Sequence, residues 1–63
     1  MIVIMKINAS QSSIDRVQEE IGKLGYTPHP IIGDSRTVVG VLGQKPLRGK
    51  QHLQSLPDVS DVL

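Results

Sequence analysis

Two histidines are the side chains of this sequence best suited to proton transfer or to contact with a polar ligand near neutral pH. His29 lies between Pro28 and Pro30, whose rings restrict the backbone and would hold the imidazole in a fixed direction. A lone histidine is more often a structural or surface residue than a ligand, but the two prolines favour a functional role. His52 lies in a polar segment, and we expect it to be exposed to solvent.

Three serines could act as nucleophiles only if a base and an orienting group converged on one of them. Ser10, Ser12 and Ser13 stand where a helix is expected to begin. A hydroxyl at that position accepts hydrogen bonds from the free backbone N–H groups of the first turn. Helix capping therefore explains these serines, and the sequence predicts no catalytic residue and no enzyme activity for this chain.

Arg36 and the glycine-containing residues 40–45 are the candidates for anion binding. Residues 40–45 are too short for the GxxxxGK[ST] phosphate loop and lack its hydroxyl. A small enzyme of the acylphosphatase type would need a paired Arg and Asn, with the Arg directly after the first strand, and residues 6–10 contain no Arg. We expect Arg36 to pair with Asp34, with another carboxylate of the hairpin, or with a partner across an interface.

Composition excludes several classes of protein. The 63 residues carry a formal charge of +1, one aromatic residue and no cysteine. Without cysteine there is no disulfide scaffold, zinc ribbon or CxxC site, and no metal site is expected. The weak charge and the lack of stacking aromatics argue against nucleic acid as a partner. The apolar start is too short for a membrane span and is not ordered like a signal peptide, so we expect a cytoplasmic chain.

The first half of the chain predicts a strand followed by a helix. Residues 1–6 are apolar and rich in β-branched side chains, which is typical of a strand at the centre of a sheet. Ser10 is placed to cap a helix, with Ser12 and Asp15 as a rival capping box. Gly25 would end the helix. The apolar stripe of this helix is Ile14, Val17, Ile21 and Leu24, and its polar faces hold Asp15, Arg16, Glu19, Glu20 and Lys23.

The second half predicts two strands, a weak helix and a last strand. Residues 26–32 contain two prolines and belong at a sheet edge. A turn at residues 33–35 leads to a central strand over residues 36–42. In this strand Gly40 would allow close approach of whatever packs above it. A second helix could begin at Pro46 and carry Leu47, Leu53 and Leu56 inward, although Gly49 weakens it. Residues 59–63 complete the sheet.

This order predicts one α+β domain over residues 1–63 with the split βαββαβ arrangement, a four-stranded antiparallel sheet with two helices on one face. The other face of the sheet would be bare. Since the first and third strands are too apolar for a solvated surface, we expect a partner to cover that face.

Several segments resemble the N-terminal domain of one microbial class of 3-deoxy-D-arabino-heptulosonate 7-phosphate (DAHP) synthases. They are the start Met-Ile-Val-Ile-Met-Lys, the run Leu-Gly-Tyr at residues 24–26, His29, Gly33-x-x-Arg-Thr-Val-Val-Gly-Val-Leu-Gly43 and the closing pattern Leu53-x-x-Leu-x-x-Val-x-x-Val62. The resemblance covers essentially the whole chain.

The resemblance implies a ferredoxin-like (ACT-like) regulatory domain placed before a catalytic barrel that this chain does not contain. In that family the barrel condenses phosphoenolpyruvate with erythrose 4-phosphate and uses a divalent metal, so no cofactor is expected here. Regulatory domains of neighbouring subunits can pair around an aromatic amino acid and close the barrel mouths. The implied partners are a second copy, through the sheet face or the hairpin edge, the barrel, and an aromatic effector.

The resemblance also implies an effector-facing or interface edge formed by His29, Ile31, Gly33 and Arg36. His29 matches the first position of a His-x-Ser/Thr pattern that contacts the effector. Ile31 stands where the pattern has a hydroxyl residue, so one hydrogen bond to the ligand is missing. Three possibilities stay open: another effector, a role in assembly alone, or a stand-alone ferredoxin-like interaction module outside the pathway.

Overall fold

The computed structural model describes residues 1–63 and has six elements in the predicted βαββαβ order. Its elements are β1 (Ile2–Met5), α1 (Gln11–Lys23), β2 (Thr27–Ile32), β3 (Thr37–Leu42), α2 (Lys50–Gln54) and β4 (Val59–Val62). The strands form one antiparallel sheet in the order β2-β3-β1-β4. The α+β fold and the four-stranded sheet predicted from the sequence are confirmed. Neither helix is long and apolar enough to cross a membrane.

The core lies between the helices and one face of the sheet. Successive side chains of a strand point to opposite faces, so β1 and β3 each send alternate residues inward. Val3, Met5 and Val39 are fully buried, with Val41 nearly so. Both strands are central, as their β-branched composition predicts. These residues join Val17, Ile21, Leu53, Leu56, Val59 and Val62 in one cluster.

Helix α1 begins as the sequence predicts. The Ser10 hydroxyl accepts a hydrogen bond from the Ser13 N–H at 3.2 Å, so Ser10 is the N-cap and the rival capping box at Ser12 is wrong. The Ser10 N–H in turn donates to the Asp58 carboxylate at 3.1 Å, and this bond is the main reason that the pKa of Asp58 lies below its ordinary value. Gly25, at φ 88°, ends the helical segment in the left-handed conformation expected of a C-terminal glycine.

Helix α2 is shorter than predicted. It covers only Lys50–Gln54, and the expectation that it begins at Pro46 is wrong. Gly49 has φ 96°, which is incompatible with a continuing right-handed helix and separates Leu47 from the helical turn. An added Cβ at Gly49 would approach Leu24 Cδ1 at 2.7 Å, so the glycine also permits close packing of the loop on α1.

Glu20 is buried, although the helical pattern placed it on a polar face. Its residue exposure is 9%, and its two carboxylate oxygens lie 2.7 Å from His52 Nε2 and 3.1 Å from Lys23 Nζ. These hydrogen bonds, the one from His52 first, lower the pKa of Glu20. The expected pair between Glu19 and Lys23 also forms, at 3.5 Å, but both side chains are 65% exposed and the pair contributes little to stability. Glu20 therefore joins α1 to α2.

Replacing the N-cap tests the start of α1. Ser10→Ala removes the acceptor for the Ser13 N–H, and we expect the free energy of unfolding to fall by about 1 kcal/mol. Urea unfolding followed by circular dichroism measures this change. Ser12→Ala is the matched control, because the Ser12 hydroxyl lies 3.1 Å from that of Ser10 but is not the N-cap that accepts the Ser13 N–H; an equal loss in both variants would contradict the assignment.

Replacing Glu20 tests the contact between the helices. A carboxylate whose pKa is lowered on folding stabilises the protein above its unfolded pKa, and this stabilisation is lost as the pH falls through the folded pKa. As the pH is lowered below 4.5, the urea midpoint of the wild type should therefore decrease more steeply than that of Glu20→Gln. Glu19→Gln is the control, since Glu19 is largely exposed. If Glu19→Gln flattened the acid limb as much as Glu20→Gln, the role of Glu20 would be wrong.

Candidate functional site

The sheet surface opposite the helices, which we call the open face, is apolar and uncovered. The strand register places His29 and Ile31 of β2 on this face, opposite Gly40 and Val38 of β3. Ile31 is 54% exposed and Leu42 57% exposed. Its apolar side chains are Ile2, Ile4, Ile31, Val38, Leu42 and Leu63. The register also places Thr27, His29 and Asp61 on this face. Exposed apolar side chains gathered on one face are typical of an interaction site.

His29 and Ile31 are the two predicted site residues that the structure brings together. They are alternate residues of β2, so their side chains share the open face. Both are exposed. His52 is the histidine that forms a hydrogen bond within the chain, which leaves the His29 imidazole available to an external group. His29 is thus a polar group set beside an apolar surface.

Gly40 produces a shallow depression next to His29. It lies between His29 on β2 and Ile2 on β1. A Cβ built at Gly40 would meet the His29 carbonyl oxygen at 3.6 Å and the His29 Cβ at 3.7 Å, which are ordinary contact distances. The packing of this chain therefore does not require glycine here, and the missing side chain leaves room for a group from outside.

The β2 edge of the sheet cannot accept a further strand easily. The Val41 N–H donates to the Met1 carbonyl, so the polar backbone groups of Val41 face β1 and those of Gly40 face β2. His29, opposite Gly40, consequently makes the ladder bonds, while Pro28 and Pro30 face the free edge. Because proline has no N–H, this edge presents two fewer donors to another strand.

The β4 edge is also partly closed. The bonds that Leu63 exchanges with Ile2 face β1, so the Val62 N–H points to the other, free side. The Asp61 carboxylate accepts this N–H at 2.8 Å and also accepts a hydrogen bond from Gln54 at 3.3 Å. Side-chain capping of an edge donor opposes strand addition. Association through the open face is therefore favoured over extension of the sheet.

Gly33 and Arg36 lie in a different place from His29 and Ile31. Both line a cavity of about 120 Å³ between the β2–β3 hairpin and the loop after β1. Gly33 is required by the hairpin itself, because its N–H donates to the Arg36 carbonyl and a Cβ there would lie 2.8 Å from that oxygen. Arg36 forms no ion pair within the chain, so the expected pair with Asp34 is absent.

Two residues in the same cavity were not among the predicted site residues. Lys6 and Asn8 follow β1 and line the cavity with Arg36, 30 residues away from Lys6 in sequence. Only the sheet order, which sets β1 beside β3, brings them together. Residues 40–42 belong to β3 and α2 begins only at Lys50, so the stretch 40–45 does not form a phosphate loop. No group of three or more His, Asp or Glu side chains is arranged to hold a metal ion.

The comparisons with known proteins agree with this architecture. A family model described as the DAHP synthase ferredoxin-like domain matches residues 1–63. The crystal structure of phospho-2-dehydro-3-deoxyheptonate aldolase (DAHP synthase) from Thermotoga maritima superposes with a TM-score of 0.86 at 25% identity. The match covers 95% of this chain but only 18% of that one. A search of curated proteins found no match. The chain belongs to the family of DAHP synthase ferredoxin-like domains.

Proposed function

We propose that this chain is a non-catalytic regulatory and association domain of a DAHP synthase, through which an end product controls aromatic amino-acid synthesis. The observation that supports the proposal is the apolar open face with His29 at its side. The aldolase activity named for the Thermotoga maritima protein belongs to a chain of which this domain corresponds to 18%. Catalysis, and the divalent metal that it uses, are therefore assigned to a barrel outside these 63 residues.

The open face is proposed to pair with the open face of a second copy. Both edges of the sheet disfavour strand addition, whereas a face that repeats the same apolar residues on two copies is self-complementary under a two-fold axis. Burying Ile31 and Leu42, each more than half exposed, removes apolar surface from water. This contact supplies the stability that a domain of this size lacks by itself.

An effector would act on this pairing by binding only where two faces meet. The depression at Gly40 is suited to the ring of an aromatic amino acid, and the exposed His29 imidazole can hydrogen-bond a polar group of the same ligand. A ligand that binds the paired state alone shifts the population toward that state by its differential affinity. In the paired state the two domains would cover the barrel mouths and block substrate access.

Ile31 determines which effectors fit. A hydroxyl side chain at this position could bind a polar ligand group, whereas isoleucine presents only apolar surface. Leaving a buried phenolic hydroxyl without a partner is costly, so the site should prefer phenylalanine to tyrosine. Prephenate, with its two carboxylates, is the third candidate, and its charges would need partners on an apolar surface.

Two neighbouring isoleucines provide a matched test of pairing. Ile31 faces the open face, whereas Ile32 is 82% exposed but pairs with Thr37 on the helix side. We expect sedimentation equilibrium to show weak self-association of the wild-type chain. Ile31→Asp should abolish it by placing a charge in the interface, and Ile32→Asp should leave it unchanged. A strictly monomeric wild type at high concentration, or equal loss in both variants, would disprove pairing through the open face.

Calorimetry tests the effector. Phenylalanine should release or absorb heat on binding to the wild type, and this heat should be lost in Gly40→Val, whose side chain fills the depression, and in His29→Ala. Ile31→Ser should raise the affinity for tyrosine relative to phenylalanine, because the hydroxyl supplies the missing partner. If phenylalanine, tyrosine and prephenate all gave no heat with the wild type, the sensing role would be wrong and assembly alone would remain.

A further inference from the structure

The cavity at the hairpin end of the sheet gathers two positive side chains from segments far apart in sequence. Lys6 comes from the end of β1, and Arg36 from the turn before β3. The lining also contains the Asn8 amide and the hydroxyls of Ser35 and Thr37, which can all donate hydrogen bonds. Ala9 and Ile14 form the apolar part of the wall.

The positive charges of the cavity form no ion pair within the chain, although the Asp58 carboxylate lies near enough to Lys6 for the two charges to interact. The three ion pairs of the protein all involve Glu19 or Glu20 on α1, so neither Lys6 nor Arg36 has a carboxylate within 4.0 Å. Asp34 lines the same cavity but pairs with neither cation. Two like charges that line one small cavity repel each other, and an anion bound in the cavity offsets this repulsion.

The backbone on both sides of the cavity is held by closed turns. The Ala9 N–H donates to the Lys6 carbonyl at 3.2 Å, and Asn8 between them has a φ of 65°, a conformation that asparagine tolerates well. On the other side, the Gly33 N–H donates to the Arg36 carbonyl at 3.1 Å. The donors are therefore attached to preorganised segments, which reduces the entropy lost when a ligand binds.

The donor set of the cavity suits an oxyanion, and its size admits one. A cavity of about 120 Å³ has room for several water molecules, and so for a small oxyanion. The Arg36 guanidinium offers a planar fork of donors and Lys6 a compact charge, a combination that suits phosphate. A single carboxylate would leave most of these donors without a partner.

We infer that Lys6, Asn8 and Arg36 form a binding site for a phosphate group, either inorganic phosphate or the phosphate of a small ester. Asp34, the one acidic residue of the lining, lowers the affinity for a bare anion and can accept a hydrogen bond from a hydroxyl of an ester. The site involves neither His29 nor Ile31, so it does not depend on the pairing or the effector proposed above.

Titration with inorganic phosphate tests the site on the chain itself. At constant ionic strength, amide chemical shifts of residues 6–10 and 33–37 should change and saturate. Lys6→Gln/Arg36→Gln should weaken binding by at least about tenfold. Arg48→Gln/Lys50→Gln is the matched control: it lowers the charge by the same two units but lies away from the cavity lining, with Lys50 beside Met1 at the other end of β1. It should bind phosphate as the wild type does.

Three further measurements separate the possible ligands and roles. Asp34→Asn should tighten the binding of inorganic phosphate, whereas glycerol 3-phosphate should gain less from this change if Asp34 accepts its hydroxyl. Arg36→Lys keeps the charge but loses the fork, and should bind with intermediate affinity, which distinguishes geometry from charge alone. Dispersed spectra verify that each variant is folded.

Three outcomes would overturn the inference: wild-type shifts that rise linearly without saturation, shifts that map outside residues 6–10 and 33–37, or an equal loss of binding in the two double variants. Loss of self-association in Ile31→Asp with phosphate binding retained would separate this site from the function proposed for the open face.

Discussion

The structure depends on one constraint, which is that the helices of a 63-residue chain cover only one face of its sheet. Helix α1 has 13 residues and α2 only five, and together they pack against the side of the sheet that carries Val3 and Val39. The intervening residues of the central strands must then face outward. Because the outward positions of β1 and β3 hold Ile2, Ile4, Val38 and Leu42 besides Gly40, the outward face is largely apolar as well. The proposal that a partner covers this face thus rests on the composition of two strands.

The edges of the sheet determine how that need can be met. A sheet with free edges could grow by adding strands and would then aggregate without limit. Pro28 and Pro30 withhold donors at one edge, and the Asp61 carboxylate occupies the Val62 N–H at the other. The open face has no comparable protection. The face-to-face pair proposed above is consistent with this combination, and a ligand that bound only at the interface of such a pair would stabilise it.

Local patterns in the sequence were sufficient for most of the fold. The stripe that includes Val17 and Ile21, the Ser10 cap and the two edge prolines each reflect a short-range rule of helix or strand geometry, and each was predicted. Helical periodicity failed for Glu20, because a residue at the border of the apolar stripe becomes buried only when a second helix supplies His52 as a partner. It failed again for α2: the pattern predicts a helix that runs through Gly49, whereas Gly49 is the left-handed residue that precedes the helix.

The candidate sites show the same division between local and distant information. His29 and Ile31 share a face because they are alternate residues of one strand, so their proximity could be predicted. The grouping of Lys6 with Arg36 depends on the pairing of β1 with β3, which no local pattern specifies. The β2–β3 hairpin carries both places, with Ile31 on the open face and Arg36 at the turn. The six paired positions of this hairpin hold the two in a fixed register. Any coupling between a ligand on the open face and a ligand in the cavity is transmitted through this shared hairpin. By thermodynamic linkage, each ligand then changes the affinity for the other by the same factor.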